Sequence, residues 1–240
     1  MSVGAPPTGP VKFEWDCDIP ATPFWSDLEY TIGRNFIECY TKAELNAMTF
    51  PEDLSKAEKR NLLLGRLQDT LDKRTAAVAP KPLWEADLSG WNDLLLGIYT
   101  INSELGRLDV CEGLLDQLAT HGTFNLKMSV KKMLSTIRER QGNYADAEKL
   151  ARECVAFLDE LPMLGPDSPQ ALSNLRSIIR PVWKQGRRDV ARALAKKHEA
   201  MVDAMSNEPQ SRFVQYQEDE RGYLRELMEE LEKWDKDNKK

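Results

Sequence analysis

Apolar side chains recur three and four residues apart along nearly the whole chain, from Asp27 to Trp234. Leu28, Ile32, Phe36, Cys39 and Tyr40 make one such stripe. Leu54, Ala57, Asn61, Leu64 and Leu71 make another, widened by Leu63 and Leu67. That spacing puts side chains on one face of a 3.6-residue helix. From the second stripe to the C-terminus no segment alternates with the period of two that a half-buried strand needs. The pattern predicts an all-α protein.

Local signals set the expected helix ends. The run SDLE has the form of a capping box, with Ser26 accepting from the amide of Glu29 and Glu29 reaching back. It predicts a first helix ending near Met48. Pro51, followed by Glu52 and Asp53, suits a first helical turn, so a second helix is expected from there to the APKP run at 79–82. Residues 1–23 carry Pro6, Pro7, Pro10, Pro20 and Pro23 and are expected to be extended or disordered. Residues 24–90 form an N-terminal helical segment that can be read as degenerate hairpins.

Three glycines organise the middle of the chain. Gly106, Gly142 and Gly186 each come after an apolar helical stretch, at separations of 36 and 44 residues. Five residues after each stands a small side chain, Cys111, Ala147 or Ala191, and nine after stands Leu115, Ala151 or Ala195. Glycine permits the backbone to turn back, and small residues let two antiparallel helices approach closely. One such hairpin cannot bury its own face, so the pattern predicts a stacked array over 91–205.

On "GNYADAEKLAREC", "LGPDSPQALSNL" and "WKQGRRDVARALAKKHEAM" this segment resembles tetratricopeptide repeats, the last two units being similar to the longer kinesin-light-chain type. Tyr99, where a small residue is expected, and Pro181, expected to kink its helix, depart from the pattern. The resemblance implies a right-handed solenoid in which the first helix of each pair lines a concave groove. Carried over by position, it places Asp93, Leu96, Thr100 and Ser103 there from the first unit. Ser129, Lys132, Thr136, Glu139 and Arg140 come from the second, and Ser173, Arg176, Arg180, Trp183 and Lys184 from the third. Lys132, Thr136, Arg140, Arg176, Arg180, Trp183 and Lys184 are the expected binding residues. Forked arginine contacts and a flat apolar anchor suit a peptide or protein partner of acidic and apolar character.

Within 206–240, Leu224, Leu227, Leu231 and Trp234 form a narrow seam on a charged helix. A helix capping the end of the stack is expected, a coiled-coil dimer contact being the other reading. Composition narrows the functions. With 33 basic against 39 acidic residues among 240 and a formal charge of -6, general nucleic-acid binding is not expected. No apolar run reaches membrane-spanning length and the N-terminus lacks the features of a secretory signal, so a cytoplasmic protein is expected. Cys17, Cys39, Cys111 and Cys154 show no metal-ligand spacing and suggest no disulfide framework.

His121 and His198 are read as structural, and Glu14, Asp16 and Asp18 in "EWDCD" as a solvated acidic arm. No nucleotide-binding, hydrolase or zinc-protease motif occurs, so no catalytic residue, metal or cofactor is expected. Three functions are expected, in order. The first is a scaffold that binds a partner in the groove. The second is a helical small-molecule-binding protein or enzyme using the groove as a pocket. The third is a structural homodimer through residues 211–234.

Overall fold

The computed structural model describes residues 17–159, 168–205 and 210–238, and all regular structure among them is helical. The chain divides into two compact units, one running to Val130 and the other from Lys131.

The first unit contains α1 (Tyr30–Ile37), α2 (Lys42–Asn46), α3 (Lys56–Val78), α4 (Leu83–Ala86), α5 (Leu88–Glu104) and α6 (Leu108–His121). Phe24, Trp25, Phe36 and Phe50 form an aromatic cluster at one side of its core, with Leu63, Leu67, Leu94 and Ile98 continuing it. The SDLE run is not a capping box. Ser26 Oγ donates to the carbonyl of Pro23, and Glu29 pairs with Lys56 and Arg60 instead. Two other boxes form, at Thr41 with Glu44 and at Ser55 with Glu58. The expected first helix is therefore two, and the long helix starts at Lys56 rather than Pro51. Residues 1–16 of the expected arm, including Phe13, Trp15, Glu14 and Asp16, lie outside the described residues. Ile19 packs on the core, and the backbone amide of Cys17 donates to the Tyr30 hydroxyl at 2.8 Å.

The second unit takes the C-terminal part of α7 (Phe124–Arg140), then α8 (Tyr144–Asp159), α9 (Pro169–Lys184), α10 (Arg188–Ala204), a 3-10 helix (Gln210–Tyr216) and α11 (Gln217–Asp237). Ser168 caps α9 and Pro169 occupies its first turn. Pro181 lies inside α9, which continues unbroken to Lys184, so the proline does not end the helix. The α11 seam of Leu224, Leu227 and Leu231 is buried with Ile178, Ile179, Ala191 and Ala195 from α9 and α10, so the chain itself covers it.

The three helix corners are built alike. Gly106, Gly142 and Gly186 take φ of 73°, 81° and 82°, the left-handed region open to glycine. At each, the glycine amide donates to the carbonyl three residues back, at Ser103, Glu139 and Trp183. The next amide, of Arg107, Asn143 or Arg187, donates five back, to Asn102, Arg138 or Val182. These paired bonds are the Schellman arrangement, which satisfies carbonyls that a helix end leaves open. Cys111, Ala147 and Ala191 behind the corners are each 0% exposed. Ala147 sits where its carbonyl accepts from Ser135 Oγ at 2.7 Å, a distance that a bulkier side chain would disturb.

Candidate functional site

The second unit carries a groove of about 530 Å³ walled by three helices. From α7 come Ser135, Thr136, Glu139 and Arg140; from α9 come Ser173, Arg176, Ser177 and Arg180. From α11 come Tyr223, Glu226, Leu227 and Glu230. Positions four apart on one helix share a face, which is why 136 with 140, 173 with 177 and 176 with 180 enter together. The periodicity that gave the α9 stripe thus also aims its polar face.

Of the expected binding residues, Thr136, Arg140, Arg176 and Arg180 line this groove. Lys132 and Lys184 do not line it. Lys132 Nζ donates to Ser173 Oγ at 2.7 Å, and Lys184 Nζ meets Glu139 at 3.0 Å. Trp183 is a correction: it is 1% exposed and packs among Ile179, Val182 and Ala191, with the guanidinium groups of Arg188 and Arg192 over its ring. Neighbouring helix positions point about 100° apart, so sharing a turn with Lys184 does not give Trp183 the same face. The groove positions expected from the first unit are also closed. Asn35 Nδ2 on α1 donates to Thr100 Oγ1 at 2.8 Å, and Ser103 is buried. Asp93 is half-buried, and desolvation raises its carboxyl above the usual range, reinforced by Glu38 and Asp87.

Charge in the groove is internally balanced. The three arginines face three glutamates, and most ion pairs are already made. Arg180 reaches Glu230 at 2.9 Å and Glu139 at 3.8 Å. Arg176 pairs with Glu220, a carboxylate only 4% exposed, and its Nη1 lies 2.9 Å from His198 Nε2. Arginine has only donors, so this imidazole nitrogen accepts and its ring hydrogen sits on Nδ1. That Nδ1 is buried without a hydrogen-bond partner among the described residues. Burial first, then the charge of Arg176, pushes the Lys132 ammonium down to about 8, with Cys154 and Glu220 opposing in part. Tyr223 stands half-exposed at the rim, with the Arg176 guanidinium 5.1 Å from its ring centre.

No family model, curated protein or solved structure matches this chain.

The site is thus defined by its own residues. Sequence reasoning missed its third wall. Tyr223, Glu226 and Glu230 recur three and four apart on α11, so a second face beside the leucine seam was present in the pattern. Elsewhere the two histidines divide. His198 is wholly buried, whereas exposed His121 stacks on Trp84 with centroids 4.2 Å apart and an interplanar angle of 19°. Among the described residues no group of acidic, histidine and cysteine side chains could hold a metal ion, and no helix is long and apolar enough to cross a membrane.

Proposed function

We propose that the second unit is a helical-repeat interaction module whose groove between α7, α9 and α11 holds a peptide segment of a protein partner. The observation that carries this reading is the groove itself: three walls offering hydroxyls, guanidinium groups and carboxylates at helical spacing. Repeated side-chain spacing along a groove is how helical arrays read an extended chain. The paired Schellman corners at Gly142 and Gly186 support the tetratricopeptide-like reading, in which first helices line such a face. An acidic partner residue would have to take Arg180 from Glu230 or Glu139, so binding exchanges one carboxylate for another. Tyr223 supplies the flat contact that Trp183 does not.

The groove volume also falls within the range of small-molecule pockets, which favours a ligand-binding function as the second reading. Its lining of arginine, glutamate and serine is more polar than such pockets usually are, and that places it second.

Peptides selected from a random library on the wild-type protein, then measured by calorimetry, test the proposal. Thr136 is exposed in the groove, so Thr136→Trp should fill it and abolish binding with melting unchanged. Affinity should also weaken as salt rises, because the exchanged pairs are partly screened. Peptides that bind Thr136→Trp as well as wild type would remove the groove as the site. A small molecule retained in native mass spectrometry and lost in the variant would favour the second reading.

A further inference from the structure

Lys132 on α7 and Ser173 on α9 meet at 2.7 Å, and Ser173 opens onto the groove. The hydrogen bond is unusual in its surroundings. Among the described residues no carboxylate lies within ion-pair distance of the Lys132 ammonium, and the Ser173 hydroxyl is its hydrogen-bond partner. The charged or titratable groups facing it are Arg176 from α9, Glu220 from α11 and the Cys154 thiol from α8. Glu220 is already committed to Arg176 and approaches His198 at 3.5 Å. A lysine held in this way gives up its proton near pH 8, and the resulting amine accepts from the serine hydroxyl it formerly donated to.

We propose that Ser173 and Lys132 form a nucleophile–base pair that takes an acyl group from a carboxylic ester presented in the groove. The pairing of a serine nucleophile with a lysine base is a known variant of the serine triad's logic. The neutral Lys132 amine removes the hydroxyl proton as Ser173 Oγ bonds to the carbonyl carbon, and the carbonyl π electrons move to oxygen. Collapse breaks the bond to the leaving alkoxide, which takes the proton back from Lys132. Water then repeats the sequence on the acyl-serine, releasing a carboxylic acid and restoring the hydroxyl. No electron transfer is involved.

Arg176 stands three residues beyond Ser173 on the same helix face and lines the same groove. Glu220 and His198 fix its guanidinium, so its positive charge is in place before oxyanion charge develops. Glu220 and His198 act as positioning residues. The proposal goes beyond the peptide reading and does not need it, since ester attack requires only Ser173 and its immediate neighbours.

The test uses the full chain, a fluorophosphonate probe and p-nitrophenyl acetate. Intact mass should show one fluorophosphonate adduct per chain, mapped to Ser173 by peptide sequencing and absent from Ser173→Ala. p-Nitrophenyl acetate should give a burst of nitrophenolate that Ser173→Ala loses. The labelling rate should rise with pH, reach half its maximum near pH 8 and flatten above it. Lys132→Met should slow labelling about 100-fold or more, the usual weight of a general base. Lys132→Arg keeps the charge and the donor but cannot deprotonate, so it should slow labelling as much. Adducts away from Ser173, or either lysine variant labelling at the wild-type rate, would reduce the pair to a hydrogen bond that satisfies a half-buried lysine. If both lysine variants fail to fold, the wild-type profile decides: labelling that is flat from pH 6 to 10 overturns the proposal.

Discussion

Replacing Gly142 by alanine isolates one physical cost. A Cβ built there meets nothing within 4 Å, so no clash contributes. What remains is the backbone: φ of 81° brings an L side chain against its own carbonyl, which costs about 1–2 kcal/mol. Gly65 is the matched control. Its added Cβ also meets nothing, but it lies inside α3, where alanine is preferred by about 0.5–1 kcal/mol. Gly142→Ala should therefore destabilise and Gly65→Ala should stabilise, although both add one methyl group to open space. Urea titration followed by circular dichroism and by tryptophan fluorescence measures both. The slope should stay constant while the midpoints move in opposite directions. For a unit of this size each kcal/mol corresponds to roughly 4–8 °C in melting temperature. Midpoints that move together, or a Gly142→Ala protein that melts with wild type, would mean that α7 does not end in a left-handed turn. The alignment of the three corners would fall with it.

Other perturbations read other parts of the unit. Ala147→Leu should overpack the wholly buried contact between α7 and α8 and cost about 1–3 kcal/mol by urea melting. Glu220→Ala leaves Arg176 without its carboxylate and should cost about 3–5 kcal/mol, so exchanging Arg176 for glutamate is a poor probe of binding. Lys132 titrates near 8 when folded, against 10.5 for an ordinary lysine, so the unfolded chain binds more protons between these values. Stability should consequently rise as pH increases from about 8 to 10.5, by up to about 3 kcal/mol (2.5 pH units), and Lys132→Met should abolish that rise in the melting temperature.

The corners were legible because their chemistry is local. A left-handed residue favours glycine, and the small side chains behind it answer to a contact only one helix diameter away. Ser26 shows where local reading fails. SDLE, TKAE and SKAE offer the same two capping groups, but Glu29 finds Lys56 and Arg60 across the core, and those partners outweigh a cap. Trp183 failed for a related reason: one turn of helix holds both an ion-paired lysine and a core tryptophan, and only packing decides which face each takes. Arg176 and Arg180 do open onto the groove, but their neutralisation was not foreseen. Glu220 and Glu230 arrive from α11, some fifty residues away in sequence, and no periodicity within α9 announces them.

Glu148 sits on α8 with its carboxylate shared between Arg152 on its own helix and Gln185 and Arg187 at the next corner. Burial acts to raise its carboxyl, but these hydrogen bonds outweigh it and hold the group below the usual range. A helical hairpin can be inserted between two others only where the seam is interchangeable. This seam is not. A hairpin inserted between α8 and α9 would strand a buried carboxylate on one side and leave a glutamine and an arginine seeking it on the other. Any copy would have to bring its own glutamate facing forward and its own basic corner facing back. A chimera that divides the α7–α8 hairpin from the α9–α10 hairpin would break this shared carboxylate, so it should be joined outside that seam.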